Sequence, residues 1–250
     1  VARRRPSNML ALALLALLSE RPMHPYEMST TLRERSKETS IKLNYGSLYT
    51  VVESLARAGL IRARETVREG RRPERTIYEI TEKGRTELYD WLSELVAVPV
   101  KEFTRFEAAL AHLAVLSPAE AVRLLTERRG RLQIVIERDQ AAYELATRAG
   151  LPRLFSIEGE YTTALAEAEI RFLDRLLAEI RDRTLSGIHL WESFHTQATP
   201  DLSQRVADAL KADGLHGEIA EQILATADTV GDAWLPPRPG GQADETEERT

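Results

Sequence analysis

"NYGSLYTVVESLARAGL", residues 44–60, is the stretch that decides the fold. It opens and closes like a helix. Asn44 is a good N-cap, because a short polar side chain there satisfies a backbone N–H that has no partner inside the helix. Gly59 suits the left-handed position just past a C-terminus. Between them Leu48, Val51, Val52 and Leu55 fall at i, i+3, i+4 and i+7, one apolar stripe for a core. The other face carries Gly46, Thr50, Glu53 and Arg57, flanked by Ser47, Ser54 and Tyr49. Small hydrogen-bonding groups of this kind differ from the Lys/Glu mixture of a merely solvated helix. The face is suited to lie against a partner.

Upstream, Ser7 or Asn8 caps a first helix that runs to about Leu18 and is closed by Arg21-Pro22. A second helix starts near Pro25, a residue that fits the first helical turn, and is expected to carry Tyr26, Met28 and Leu32 inward. The polar run "RSKETSIK" at 35–42 separates it from the third helix. Downstream, "LIRARETV" (60–67) and "RTIYEI" (75–80) alternate as strands around "REGRRPE", a tip rich in Gly, Pro and charge. "TEKGRTELYDWLSEL" (81–95) resumes helical spacing through Leu88, Trp91, Leu92 and Leu95. Three helices, a strand, a basic hairpin tip and a strand are the order of a winged helix-turn-helix, placed at residues 1–97. The third helix is then the recognition helix, sized for a DNA major groove ~12 Å wide. The hairpin is the wing.

Past "VAVPV", Phe103, Phe106, Leu110 and Leu113 follow at helical spacing. "SPAE" at 117–120 has the form of a capping box, with Ser117 as cap, Pro118 in the first turn and Glu120 reaching back. It launches a long helix to about Ala149, interrupted by Gly130, with Leu125, Leu132, Val135, Ala142 and Leu145 as its seam. "GL" at 150–151 ends it, and a further helix from Ile157 to about Leu185 carries Tyr161, Leu165, Ala168, Phe172, Leu176 and Ile180. Two antiparallel helices do not cover seams this broad on each other alone. A second copy is the simplest supply of partner helices, so residues 101–186 are expected to be a helical dimerisation and effector domain. The dimer residues are expected to be Phe106, Leu110, Leu125, Leu132, Tyr161, Leu165, Phe172, Leu176 and Ile180. Packing within one chain is the alternative. Residues 187–235 read as short added helices, one opened by Thr199-Pro200 and another holding Ile219, Ile223 and Leu224. Residues 236–250, Pro/Gly-rich and then acidic, read as a disordered tail.

Composition narrows the functions available. The 250-residue chain carries a net charge of −5, unevenly placed. Residues 1–95 hold 17 basic against 13 acidic side chains, so the front is net +4 and the remainder −9. A polyanionic partner would meet the N-terminal domain. The apolar stretch Leu10–Leu18 follows Arg3–Arg5, yet no small-residue cleavage site follows it, so neither a signal peptide nor a membrane span is expected. With no cysteine and no metal spacing among His24, His112, His189, His195 and His216, neither disulfide nor metal is expected. There is no Gly-x-Ser-x-Gly elbow, phosphate-binding Gly loop or dinucleotide fingerprint, so the chain is not expected to be an enzyme or to hold a cofactor. A cytoplasmic location fits this composition.

Three stretches, "LLALLSERPMHPYEMSTTL" (14–32), "GSLYTVVESLARAGLI" (46–61) and "RRPERTIYEITEKGRTEL" (71–88), in that order and spacing, resemble the PadR family of bacterial transcriptional regulators over residues 10–90. Residues 103–185, with "EYTTALAEAEIRFLDRLL", resemble the family's C-terminal dimerisation region in layout. The resemblance implies a mainly α protein: a winged helix-turn-helix followed by a long-helix dimerisation domain. It further implies a homodimer on an inverted-repeat operator in double-stranded DNA, usually a repressor, released by a small-molecule effector. Pro25, Tyr45 and Thr50 depart from the family pattern, and the last two fall in the DNA-facing region, so the operator is not transferable from relatives.

The expected DNA contacts are Tyr26, Asn44, Tyr45, Gly46, Ser47, Tyr49, Thr50, Ser54 and Arg57, with Arg68, Arg71, Arg72 and Arg75 from the wing. Ser47 and the free N–H groups of the first turn suit phosphate, with Gly46 allowing close approach. Thr50 and Ser54 reach base edges or stay solvated; Glu53 suits a cytosine amino group or penalises wrong sites; Arg57 suits phosphate. The tyrosines pack a ring inward while a hydroxyl donates outward. The arginine run at the tip suits phosphate or the minor groove, where elsewhere it would read as a solvated charge cluster. Trp91, Phe103 and Phe106 are most simply core, with stacking on a planar effector as the second reading. His189 and His195 with Trp191 and Phe194 read as a structural cluster. The competing function is a winged-helix module for protein–protein assembly that does not bind DNA.

Overall fold

The computed structural model describes residues 8–35, 37, 45–67, 75–195 and 202–230. The chain folds as two compact units, one up to Glu102 and one from Phe103. The expectations for Asn44, Arg68, Arg71, Arg72 and the tail at 236–250 lie outside the described residues, as do those for the side chains of Tyr45 and Arg75.

The first unit runs α1 (Met9–Glu20), α2 (Pro25–Glu34), α3 (Tyr45–Arg57), β1 (Ile61–Val67), β2 (Arg75–Ile80) and α4 (Glu82–Ala97). Asn8 starts α1, its Oδ1 accepting from the Leu10 N–H at 3.0 Å. Leu10, Leu14, Leu15 and Leu18 are then buried with Ala11, Ala13 and Leu17, which explains why that helix is apolar nearly all round. The stripe Leu48, Val51, Val52 and Leu55 closes the same core. Met28 and Leu32 join it from α2, but Tyr26 does not: it is 65% exposed. Two residues along a helix is about 200° of rotation, so Tyr26 faces away from Met28. Pro25 takes the inward place instead. In α4 the core reaches Leu88 and Trp91, and Leu92 and Leu95, though correctly spaced, stay exposed beyond it.

The strands pair antiparallel from Ile61 opposite Ile80 to Val67 opposite Arg75. A bulge interrupts them, leaving Arg64 as an extra residue between the pairs Ala63/Tyr78 and Glu65/Ile77. Met23, fully buried, exchanges both backbone hydrogen bonds with Tyr78 at 3.0 Å and so ties the start of α2 to the sheet.

One junction holds these parts together. α3 ends in a Schellman motif: Gly59 adopts φ +70°, Leu60 N–H donates to Leu55 C=O at 3.0 Å and Gly59 N–H to Ala56 C=O at 2.9 Å. The Leu60 carbonyl then accepts from the Thr81 N–H at 3.0 Å, while the Thr81 hydroxyl donates to the Gly59 carbonyl at 2.8 Å with the Leu60 oxygen at 3.0 Å. The same hydroxyl oxygen accepts from the Gly84 N–H at 3.1 Å as the N-cap of α4. Gly84 lies so close that an added Cβ would sit 2.1 Å from the Leu60 oxygen and 2.8 Å from Ile80 Cγ1.

The second unit holds α5 (Arg105–Leu110), α6 (Pro118–Arg148), α7 (Ile157–Arg181), α8 (Ile188–His195), α9 (Leu202–Ala212) and α10 (Glu218–Val230). The helix expected through Phe103 and Leu113 is shorter. Thr104 caps it, accepting from Glu107 N–H at 3.1 Å, so Phe103 precedes it and is 89% exposed, and Leu113 falls in a separate short 3-10 turn. Ser117 caps α6 as expected, but Glu120 does not reach back; its carboxylate pairs with Arg123 at 2.6 Å. α6 also continues unbroken through Gly130, which is exposed with open space around it. α7 stops at Arg181, ahead of Arg183 at φ +57°, rather than at Leu185.

α6 and α7 run antiparallel. Ala121, Leu125, Leu173, Leu177 and Ile180 pack with Ile188 and Trp191 of α8, and Ile136 packs with Ala166 and Ile170 further along. Arg129–Asp174 at 2.6 Å, Arg128–Glu169 and the Arg181–Thr126 bond at 3.0 Å tie the pair along one side. α9 and α10 form a further core with Leu190 and Phe194. Asp213 fastens it: its carboxylate accepts from the backbone N–H groups of Leu190 (2.8 Å) and His189 (3.3 Å) and pairs with the His189 ring at 2.8 Å. The expected His and Trp cluster is divided: Trp191 Nε1 donates to Leu116 C=O at 2.7 Å and His195 Nε2 to Ala114 C=O at 2.9 Å, while Phe194 joins the α9–α10 core.

Gly84→Ala forces a side chain into backbone and should destabilise the first unit by about 1–3 kcal/mol, read as a lowered midpoint of chemical denaturation. Burial raises the Asp213 carboxyl, but the Leu190 N–H, the His189 ring and the His189 N–H outweigh it and hold it below the ordinary aspartate value. The stabilisation is therefore complete above the unfolded-state value and lost as pH falls through the lower folded one. Asp213→Asn should lower the melting temperature at neutral pH and flatten its decline below about pH 4, the usual aspartate range.

Candidate nucleic-acid interface

The outward face of α3 is set by its inward one. With Leu48, Val51, Val52 and Leu55 fixed in the core, Gly46, Tyr49, Thr50, Glu53, Ser54 and Arg57 are exposed, and Ser47 is half-buried. Tyr49 is 54% exposed. Among the described residues no hydrogen bond or ion pair engages the side chains of Tyr49, Thr50, Glu53, Ser54 or Arg57. Five polar side chains along one helix face thus keep their hydrogen-bonding capacity for an outside partner. Arg57 is in the last turn, where the helix dipole favours a cation.

α2 adds Tyr26, which is exposed on the outer side of its first turn. His24 caps that turn, Nδ1 accepting from the Tyr26 N–H at 3.0 Å, and the Tyr26 carbonyl accepts from the hydroxyls of Ser29 (2.8 Å) and Thr30 (3.0 Å). The residue is thus held at its backbone while its ring stays outside. On β1, Arg62 is neutralised by Glu79 at 2.7 Å. Arg64, the bulge residue, is exposed and engaged by no ion pair among the described residues. It is absent from the expected contacts because a single sequence does not announce a bulge. Arg75 opens β2, at the hairpin's outer end.

The residues expected to form a dimer divide into two sets. Leu125 and Ile180 are buried in the chain's own core, and Leu110, Leu132 and Leu176 are half-buried. Tyr161, Leu165 and Phe172 are exposed, as are Leu145, Leu151, Leu154, Phe155 and Ile157 at and near the turn between α6 and α7. Phe106 is half-buried, with the Arg128 guanidinium 3.7 Å above its ring. Of the expected effector residues, Trp91 is buried in the core of the first unit, and Phe103 is exposed. No group of His, Asp and Glu suited to a metal occurs among the described residues, and no helix there is long and apolar enough to cross a membrane.

Residues 14–90 match the model of the "Transcriptional regulator PadR-like family". The chain is 26% identical over 180 residues to the "Negative transcriptional regulator PadR" of Bacillus subtilis (strain 168), covering 69% of this chain and 98% of that protein. Its fold is similar to the crystal structure of Bacillus subtilis PadR in complex with operator DNA, with a TM-score of 0.57 and 22% identity over 69% of this chain and 99% of that one. The structure of Bacillus subtilis PadR with p-coumaric acid is similar to the same degree, with a TM-score of 0.55, 22% identity, and 70% and 99% of the two chains covered. These likenesses establish a winged-helix fold with a long-helix domain. The match is nearly complete on their side and leaves about three-tenths of this chain outside it.

Because Thr50 and Ser54 serve no intramolecular bond among the described residues, Thr50→Ala and Ser54→Ala should leave thermal stability unchanged or slightly raised, alanine being the better helix former by up to about 0.7 kcal/mol. A loss of more than about 1 kcal/mol in a denaturation titration would assign them to the fold instead.

Proposed function

We propose that the chain, whose residues 14–90 match the PadR-like family of transcriptional regulators, is a homodimeric repressor of that kind. It binds an inverted-repeat operator in double-stranded DNA and is released by a small-molecule effector. The observation that carries the reading is the exposed face of α3, whose polar side chains from Tyr49 to Arg57 have no partner among the described residues. Thr50 and Ser54 read base edges, while Ser47, Tyr26, Tyr49 and Arg57 position the helix on phosphate. Asn44, Tyr45 and Gly46 are the remaining proposed contacts from the start of the recognition segment. Arg68, Arg71, Arg72 and Arg75 supply the wing's positive charge.

The dimer follows from the second unit. Tyr161, Leu165 and Phe172 leave an apolar stripe on α7 exposed, and a second copy is the partner that buries it. Two-fold symmetry then sets two recognition helices near one turn of DNA, ~34 Å, or a multiple apart. An effector lowers operator affinity by as much as it prefers another spacing of the two recognition helices, and by no more. The similarity to a negative regulator and to a structure holding a small organic acid supports repression and release. A regulator of this kind meets its operator on chromosomal DNA, so the reading includes a cytoplasmic location.

Selection of genomic fragments followed by footprinting should yield a protected inverted repeat. Affinity should fall steeply with salt, with a slope of about −0.9 per phosphate neutralised. Arg71→Ala with Arg72→Ala should weaken binding at least tenfold and reduce that slope by about 2. A folded dimer that enriches no fragment would overturn the DNA-binding reading in favour of the assembly module. Light scattering of Leu165→Glu/Phe172→Glu should show a monomer where the wild type is a dimer; a monomeric wild type at micromolar concentration would overturn the dimer.

A further inference from the structure

The exposed face of α3 holds one group that a phosphate-binding surface does not need. Glu53 lies midway along the helix, between Thr50 on the preceding turn and Arg57 on the next. It is exposed, and no ion pair or hydrogen bond engages it among the described residues. Three structural reasons for an exposed helical glutamate fail here. It is too far from the first turn to be favoured by the helix dipole. It caps nothing. Arg57 stands at i+4, the spacing that closes a Glu–Arg pair, yet the two side chains stay apart. A carboxylate on a face turned toward DNA is repelled by phosphate. It is tolerated at low cost only where a donor meets it.

We infer that Glu53 is a specificity-determining residue of the recognition helix and accepts a hydrogen bond from the exocyclic amino group of a cytosine in the major groove. The inference rests on the DNA-binding reading above. An ionised carboxylate accepts and cannot donate. Of the base edges in the major groove, guanine offers the acceptors N7 and O6, thymine O4, and adenine pairs its amino group with an adjacent acceptor N7. Only cytosine presents an amino donor without a neighbouring acceptor on the same base. Glu53 therefore favours cytosine at one position of each half-site and raises the energy of the other three bases there. On non-specific DNA the same carboxylate meets acceptors and phosphate, so it also suppresses binding outside the operator. Thr50 and Ser54 beside it serve either as donor or as acceptor and do not impose this choice.

The test is selection from a randomised duplex library with the full-length wild type, Glu53→Gln and Glu53→Ala, at one salt concentration. The library contains every base at every position, so no operator need be known. The wild type should enrich half-sites with a cytosine at one position, preferred about tenfold over the other bases. Glu53→Gln should lose that preference or turn it to adenine, whose N6/N7 edge suits an amide, and Glu53→Ala should accept all four bases there. Both variants should bind unselected duplex more tightly than the wild type. Arg57→Ala is the contrast, weakening all sequences evenly. Glu53 is exposed, so unchanged melting curves will show that the variants fold. A wild type that enriches nothing overturns the DNA-binding reading and this inference with it. A wild type that enriches an operator, while the variants keep its full base preferences, overturns this inference alone.

Discussion

The Leu60 carbonyl is the point on which the N-terminal unit turns. It lies where the polypeptide leaves α3 for β1, and it accepts from the N–H of Thr81, where the polypeptide leaves β2 for α4, with the Thr81 hydroxyl held by the adjacent Gly59 carbonyl. Four elements end or begin within a few residues of that oxygen. Gly84 packs its backbone against it at a distance that admits no side chain, and Lys83 Nζ, at 2.6 Å from the Ala58 carbonyl, covers the end of α3. Because the hairpin and the recognition helix share this anchor, neither can be repositioned alone. The direction in which Thr50, Glu53 and Arg57 face is fixed relative to the strands by this backbone junction together with the packing of Leu48, Val51, Val52 and Leu55 in the core. The "TEKG" stretch therefore owes its residue types to hydrogen bonding and close approach at the root of the wing.

Much of this is legible in the residues themselves, for identifiable reasons. α3 can be read because its stripe, its terminal glycine and its polar face all agree. The strands alternate around a Gly/Pro tip and need no tertiary information. Tyr26 is expected inward because tyrosine is large and apolar, although its position relative to Met28 puts it on the opposite side of α2. Phe103 looks like part of a helix, but Thr104 caps that helix one residue later and leaves it outside. The Asp213 cap of α8 joins residues 23 and 24 positions apart, and no local pattern reports such a bond.

α7 shows how one helix can carry two seams. Ala166, Ile170, Leu173, Leu177 and Ile180 recur at fours and threes and are buried within the chain. Tyr161, Leu165, Phe172 and Leu176 recur at nearly the same spacing, offset by a residue or so, and are exposed or half-buried. In sequence the two merge, because Ile180 belongs to the first set and fits the period of the second. They have different uses: one holds α7 to α6, with the Arg129–Asp174 and Arg128–Glu169 pairs along its border, and the other remains open. The Arg129 guanidinium beside Asp174 holds that carboxyl below its ordinary value, so the pair stays ionised.

The bulge at Arg64 gives the wing a tolerance for change in length that α3 lacks. β1 has one residue more than its pairing with β2 uses, since Ala63 meets Tyr78 and Glu65 meets the next residue, Ile77. A gene that lost the Arg64 codon would still encode a ladder running from Ile61/Ile80 to Val67/Arg75, each downstream residue keeping its partner. The same loss within α3 would rotate everything beyond it by about 100° and turn its polar face into the core. The hairpin can therefore vary in length over evolutionary time while the recognition helix is held to its register, and shorter wings on otherwise similar chains are compatible with an unchanged base-reading surface.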